Sequence, residues 1–488
     1  MLGSIFDLFV AKSPISVMAR GIVERVLNPE QLNKWFNKTA KKQYTKDLLF
    51  STIFDLMSKV VCGSYSSVHS AFQASKEDIS VSISSIYNKL NGIETETSAQ
   101  LVRYAGEQLE PIIKDLGGTM PAPLPGKRIK LLDGNCIEKS EHRIEELRSI
   151  AAGPLPGKSL VVYDPVLRLP IDVFPCEDGH AQERSLLKTV LSTIATQDVW
   201  IADRNFCTID FTCGIANRDA YFIIREHKKY PHQLFGKEKY IGKVETGKVY
   251  EQRIKVCDHS GKTHTFRRIR ISLKQKTRDG DKSIFVISNL SKRCAHAKKI
   301  ARLYRDRWTI ETAFQHLAEH LNSEINTLGY PGAALFGFCV ALVTYMIMSV
   351  LKSALGAVHG FDVIDKQVSG YYIAEEISGT YRGMMIAIDY DNWIVFQLMT
   401  VSQLVNILKK LAANVRLSAY QKHPRGPKKP QPKRVSDKNT PHVSTARILA
   451  MRKNKRTTLK GLVHVNLNKK GVCRDFFPLI LLLFPPVV

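Results

Sequence analysis

Through the first hundred residues apolar side chains recur at steps of three and four. In "TKDLLFSTIFDLMSKVV", Leu48, Leu49, Ile53, Leu56 and Val60 share one stripe, which predicts a helix with one buried face. "EDISVSISSIYNKLNGI" ends at Gly92 and reads either as the second half of a helix-turn-helix or as a further packing helix. "GGTMPAPLPGKR" breaks the pattern as a linker would. Residues 1–118 are therefore expected to form an all-α N-terminal domain, with DNA reading as its candidate role.

The period then changes. "KRIKLLDGN", "KSLVVYDP", "LRLPIDVFP", "DVWIADRNF" and "AYFIIRE" are short strand candidates. "LVVY" is apolar without alternation, as a strand covered on both faces would be. Between the third and fourth, Leu186, Leu187, Val190, Leu191 and Ile194 form a helical stripe. Strands interleaved with helices in this way describe a mixed α/β sheet. Residues 228–294 alternate with period two around turns such as "DHSG" and "RDGD" and read as a β-rich insertion. There Ile269, Ile271 and Leu273 face one way, and Arg268, Arg270 and Lys274 the other. The basic side is either a solvated sheet face or a strip that contacts phosphates.

A long helix is expected from Ala295 to about Glu324. After it, residues 332–351 are apolar for about the length of a membrane span. A buried core helix is the preferred reading, because Gly337, Cys339 and Ala341 suit close packing, and no membrane partner is expected. The 401–488 region changes again. Between 401 and 470, eighteen Lys or Arg face one acid, Asp437. "YQKHPRGPKKPQPKR" cannot bury a core and is expected to be disordered. The apolar C-terminal "FFPLILLLFPPVV" is too short and Pro-rich to span a bilayer.

Charge narrows the functional classes. A formal net charge of +26 over 488 residues calls for a polyanionic partner. The nine cysteines are scattered with no C-x-x-C pair, which argues against a zinc site or disulfide framework and fits a reducing cytoplasm.

Against this basic background three acids stand out. Asp133 closes the first strand in "LLDGN" and Asp203 the fourth in "WIADRNF". Each alone could cap a turn or a helix. Together they fall at the carboxyl ends of strands of one probable sheet, where α/β sites form. Glu311 sits in "LYRDRWTIETAF", on the same helical side as Tyr304 and Arg307. Carboxylates without His or Cys suit Mg²⁺. Two such ions about 4 Å apart serve phosphoryl transfer.

Asp133, Asp203 and Glu311, with Y-x-x-R-x-x-x-E spelled by Tyr304, Arg307 and Glu311, resemble the DDE transposases of bacterial insertion sequences. More narrowly, the chain resembles the group marked by a YREK signature and a β insertion; 108 positions separate Asp203 from Glu311. The resemblance runs over about residues 10 to 390 and includes "DGNCIEKSEHRIEELR" and "VFPCEDGHAQERSLL".

It implies an RNase H-like catalytic domain over 119–227 and 295–400, interrupted by the insertion at 228–294. It also implies two Mg²⁺ ions (Mn²⁺ could substitute) held by Asp133, Asp203 and Glu311, and phosphate contacts from Tyr304 and Arg307. The implied activity is cut-and-paste transposition: cleavage at terminal inverted repeats, then strand transfer into target DNA. A homodimer would join two double-stranded ends at the bacterial nucleoid. The signature's final Lys is replaced by Ala318, and the insertion holds no Trp, so Tyr240, Tyr250 or Phe266 would have to do any base stacking. The alternative is a DNA-binding derivative of such an element with impaired cleavage.

Overall fold

The strands expected between Lys127 and Glu226 all form, and the four strands that follow them continue the same sheet. The computed structural model describes residues 2–423, except 44, 46, 139, 142, 149–151 and 278–279, together with 443–454. In chain order the main sheet contains β1 Arg128–Ile137, β2 Gly157–Asp164, β3 Leu169–Cys176, β4 Asp198–Ala202, β5 Tyr221–Arg225, β6 Gln233–Val244, β7 Gly247–Cys257, β8 Thr263–Leu273 and β9 Ser283–Ser288. Their spatial order is β3-β2-β1-β4-β5-β9-β8-β7-β6. The β1–β4 and β4–β5 pairs are parallel, and the rest are antiparallel.

The 228–294 segment is thus an extension of the central sheet. Its last strand pairs with β5 through Ile287↔Ile224, so the edge of the core sheet is never closed. Side-chain alternation explains the layering. Val199 and Ile201 of β4 enter one core with most of the helices, while Trp200 and Ala202 enter a second core on the opposite face. The short helices α1 Leu187–Ser192 and α2 Ile209–Ala216 cover that second face. β2 is buried nearly throughout, which is why its sequence does not alternate.

The N-terminal segment is helical as expected, including Pro14–Val26, Phe50–Val61, Ile83–Asn91 and Thr95–Asp115. Ile53, Leu56 and Val60 are buried, whereas Leu48 and Leu49 precede their helix. These helices share one hydrophobic core with the sheet, so the expected boundary at 118 is not a boundary between cores. Ile83–Asn91 packs through Ile86 and Leu90 and leaves Ser84 and Asn88 exposed.

The apolar stretch becomes Pro331–His359. Its most apolar window has a mean hydropathy of 2.3 and is 89% buried inside the protein, the expected core helix. Close approach is built in at Gly332, where a Cβ would lie 2.8 Å from the Asn91 carbonyl oxygen. The basic C-terminal region, expected from residue 401, opens on a helix. Val401–Ala413 is a capped helix that buries Leu404, Val405, Leu408 and Leu411. The expected disorder falls on 420–434, most of which lies outside the described residues, as do 476–488. Among the described residues every cysteine is free.

Candidate active site

Register in two parallel strands brings the first two acids together. Leu132 of β1 pairs with Ala202 of β4, so Asp133 and Asp203 are the next residues on neighbouring strands. Asp203 follows the end of its strand, but Asp133 does not. β1 continues to Ile137, paired with β2 as far as Ile137↔Gly157. What ends at Asp133 is the parallel ladder, and this frees its side chain toward the carboxyl edge shared with Asp203.

The third acid arrives on a broken helix. The single helix expected over 295–324 is two, α3 Ala297–Asp306 and α4 Trp308–His320, meeting at Arg307. Around the break the amides of Arg307 and Ile310 bond carbonyls three residues back, at 3.2 and 3.1 Å, a tightened 3₁₀ step. Tyr304 therefore lies in the last turn of α3 and Glu311 in the first turn of α4, where the partial positive charge of a helix start favours a carboxylate.

Arg307 binds the cluster. Its Nη1 donates to Asp133 Oδ2 at 2.8 Å and its Nη2 to Glu311 Oε1 at 2.5 Å. The residue is 5% exposed, and its Nε is buried with no acceptor among the described residues. Tyr304, also buried, donates its hydroxyl to Asp203 Oδ1 at 3.2 Å. The expected phosphate-contacting pair thus sits inward, satisfying the acids, while half of the Glu311 side chain stays in solvent.

Asp133 is pushed up to about 6. Burial is the largest cause; the Arg307 cation and the Gly134 amide oppose it, and the nearby charges of Glu311 and Asp203 add to it. The three carboxylates, far apart in sequence, therefore share one electrostatic neighbourhood. By donor chemistry the set is all oxygen and suits Mg²⁺. By position, among the described residues no three His, Cys, Asp or Glu are placed to share an ion, and a guanidinium occupies the balancing role.

A further acid lies on the other face of β1. A Cβ on Gly134 would lie 2.1 Å from Glu183 Oε1, so Glu183 lies against β1 on the face opposite to the Asp133 side chain. Its signal was its place inside "VFPCEDGHAQERSLL", but no spacing rule ties it to the first strand.

The basic face of β8 splits as expected, with Ile269 and Ile271 buried. Arg268 and Arg270 are not free cations, however. Arg268 pairs with Glu226 at 2.7 Å and lies over the Phe285 ring. Arg270 pairs with Glu238 at 2.5 Å and lies over Tyr250. Lys274 is exposed. Of the aromatic candidates, Phe266 is buried, Tyr250 is half-buried and Tyr240 is exposed. Ala318 is exposed on α4.

Residues 153–344 match the family described as "Transposase DDE domain". That span contains Asp203, Tyr304, Arg307 and Glu311, and Asp133 lies before it. A relative from Sinorhizobium fredii (strain NBRC 101917 / NGR234), named "Putative transposase y4zB", is 27% identical over 207 residues, 40% of this chain. The match covers 52% of that protein, so the chain spans about half the length of its curated relative. Among solved structures, a piggyBac transposase synaptic complex with hairpin DNA aligns at a TM-score of 0.34 and 11% identity. That alignment covers 78% of this chain and 80% of the other.

Proposed function

We propose that this chain is a DDE transposase, of the YREK-marked group with a β insertion, that cleaves DNA at the inverted repeats of its element and transfers the freed strand. The observation that carries the reading is the meeting of Asp133, Asp203 and Glu311 around Tyr304 and Arg307, with the last four inside the matched domain. The order β3-β2-β1-β4-β5, antiparallel and then parallel, supports an RNase H-like catalytic unit. The net charge supports DNA as the substrate.

In this reading Asp133, Asp203 and Glu311 would hold Mg²⁺, or Mn²⁺ in its place, once Arg307 releases the two carboxylates it bridges. Two such ions would supply an activated oxygen nucleophile and charge for the leaving oxygen. The chain's own residues do the rest. Tyr304 orients the Asp203 carboxylate through its hydroxyl. Arg307 neutralises Asp133 and Glu311 before DNA arrives, and then turns its guanidinium to a backbone phosphate near the cleaved end. Lys274 and the basic C-terminal region hold the duplex, and a homodimer at the nucleoid brings two ends together.

The test is purified protein with end-containing DNA and Mg²⁺. Wild type should nick at the repeat boundary, and Asp203→Ala should bind but not cut. Equal nicking by both would refute the site assignment. The Arg307 bridge and Ala318 favour a second reading, a DNA-binding protein with impaired cleavage. Sequence-specific binding without nicking by wild type would select it.

A further inference from the structure

A separate cavity of about 180 Å³ lies against α4, away from the three acids. It has room for several waters. Thr312 and His316 of α4 form one wall, and Lys352 of the Pro331–His359 helix another. Arg168, Asp365 and Lys422 complete its charged lining.

Its charge does not balance. Arg168 and Asp365 cancel in a two-pronged pair, with both contacts at 2.6 Å. Lys422 donates to the backbone carbonyl of Asp365 at 2.6 Å. Lys352 is left over. It is half-buried, and its ammonium makes no hydrogen bond or ion pair among the described residues. The charged groups that act on it are Lys422, Asp365 and Arg168, two of them cations. Burial first, and then Lys422, pull it down to about 8. Lys352 is thus a half-buried ammonium without a salt-bridge partner of its own among the described residues.

The surroundings supply further donors. His316 and His320 stack with ring centres 4.9 Å apart. Burial, and then Lys352, drive His316 down to about 4, so at neutral pH it offers an uncharged N–H. The helix Gly370–Ala387 starts beside them: a Cβ on Gly370 would sit 3.3 Å from Lys352 Nζ and 2.9 Å from His320 Nδ1. The positive end of that helix therefore abuts the unpaired ammonium.

We propose that this cavity is an oxyanion site that takes a phosphate group, held by Lys352 with an imidazole N–H and the Gly370–Ala387 helix start beside it. The group is either inorganic phosphate or the terminal phosphate of a DNA strand. Because Thr312 and His316 share α4 with Glu311, occupancy would stiffen the helix that carries the third acid. The site does not depend on the three carboxylates being catalytic.

Calorimetric titration of the full-length protein with inorganic phosphate tests the proposal. Wild type should bind saturably, and Lys352→Gln should bind about tenfold or more weakly, the loss of a charge-assisted contact. Exposed Lys34→Gln should match wild type. Lys352→Gln should also melt above wild type in phosphate-free buffer, with the gap closing as phosphate is added. His316 ring resonances of wild type should move with the titration, a readout independent of any variant. No saturable binding, equal binding by Lys352→Gln, or binding that leaves His316 unmoved would overturn the site. Competition by a 5′-phosphorylated oligonucleotide well beyond its unphosphorylated twin assigns the site to DNA ends; equal competition assigns it to free phosphate.

Discussion

Arg307 Nη1 reaches Asp133 Oδ2 at 2.8 Å across 174 positions of chain, and the same guanidinium holds Glu311 at 2.5 Å. One buried cation thus ties a strand to a helix break. Arg307→Ala removes it and leaves Asp133 unpaired, which should destabilise the protein by about 3 kcal/mol, with little added from half-exposed Glu311. If the carboxylates accept Mg²⁺, millimolar Mg²⁺ should recover more stability in Arg307→Ala than in wild type. Urea unfolding with and without Mg²⁺ measures both, and an equal response in the two proteins would count against metal binding here.

Tyr304 offers a gentler probe. Tyr304→Phe keeps the buried ring and deletes the hydroxyl that orients Asp203. The expected stability cost is about 1 kcal/mol. Single-turnover nicking should slow while DNA affinity stays at the wild-type level. A parallel loss of affinity would show that Tyr304 acts on DNA and not on Asp203.

The basic strand makes a prediction about salt. Arg268 and Arg270 are committed to Glu226 and Glu238, but Lys274 is exposed. Lys274→Ala should lower the slope of log affinity against log salt by about 1, the contribution of one phosphate contact. Arg268→Ala and Arg270→Ala should change it less. Fluorescence anisotropy across a salt series decides the order.

Glu376 joins three distant segments. Its Oε1 accepts from the Ser16 amide at 3.2 Å, and its Oε2 accepts from the Tyr420 hydroxyl. Burial raises it to about 7, against the bonds from Ser16. A carboxyl raised on folding contributes stability fully below its unfolded value near 4.5 and loses it as pH climbs through 7. Wild type should therefore weaken between pH 4.5 and 7 relative to Glu376→Gln. Above pH 7 the variant should be more stable, by roughly 1–2 kcal/mol after allowance for partial exposure. Thermal melts across that range test the crossover.

By itself the sequence determined the local elements: the five core strands, the alternating strands after them, the buried helix at Pro331–His359 and the three acids worth watching. Periodicity and strand-end placement carry that information, because they depend on near neighbours along the chain. Tertiary structure decided what those elements join. The N-terminal helices share the central core, the 228–294 strands extend the sheet, and the helix breaks at Arg307. Only the fold shows that Arg307 turns inward to two carboxylates. Only the fold leaves Lys352 unpaired in a cavity. Such outcomes depend on which side chains meet across more than a hundred residues, and there burial and charge compensation, not local period, set the energy.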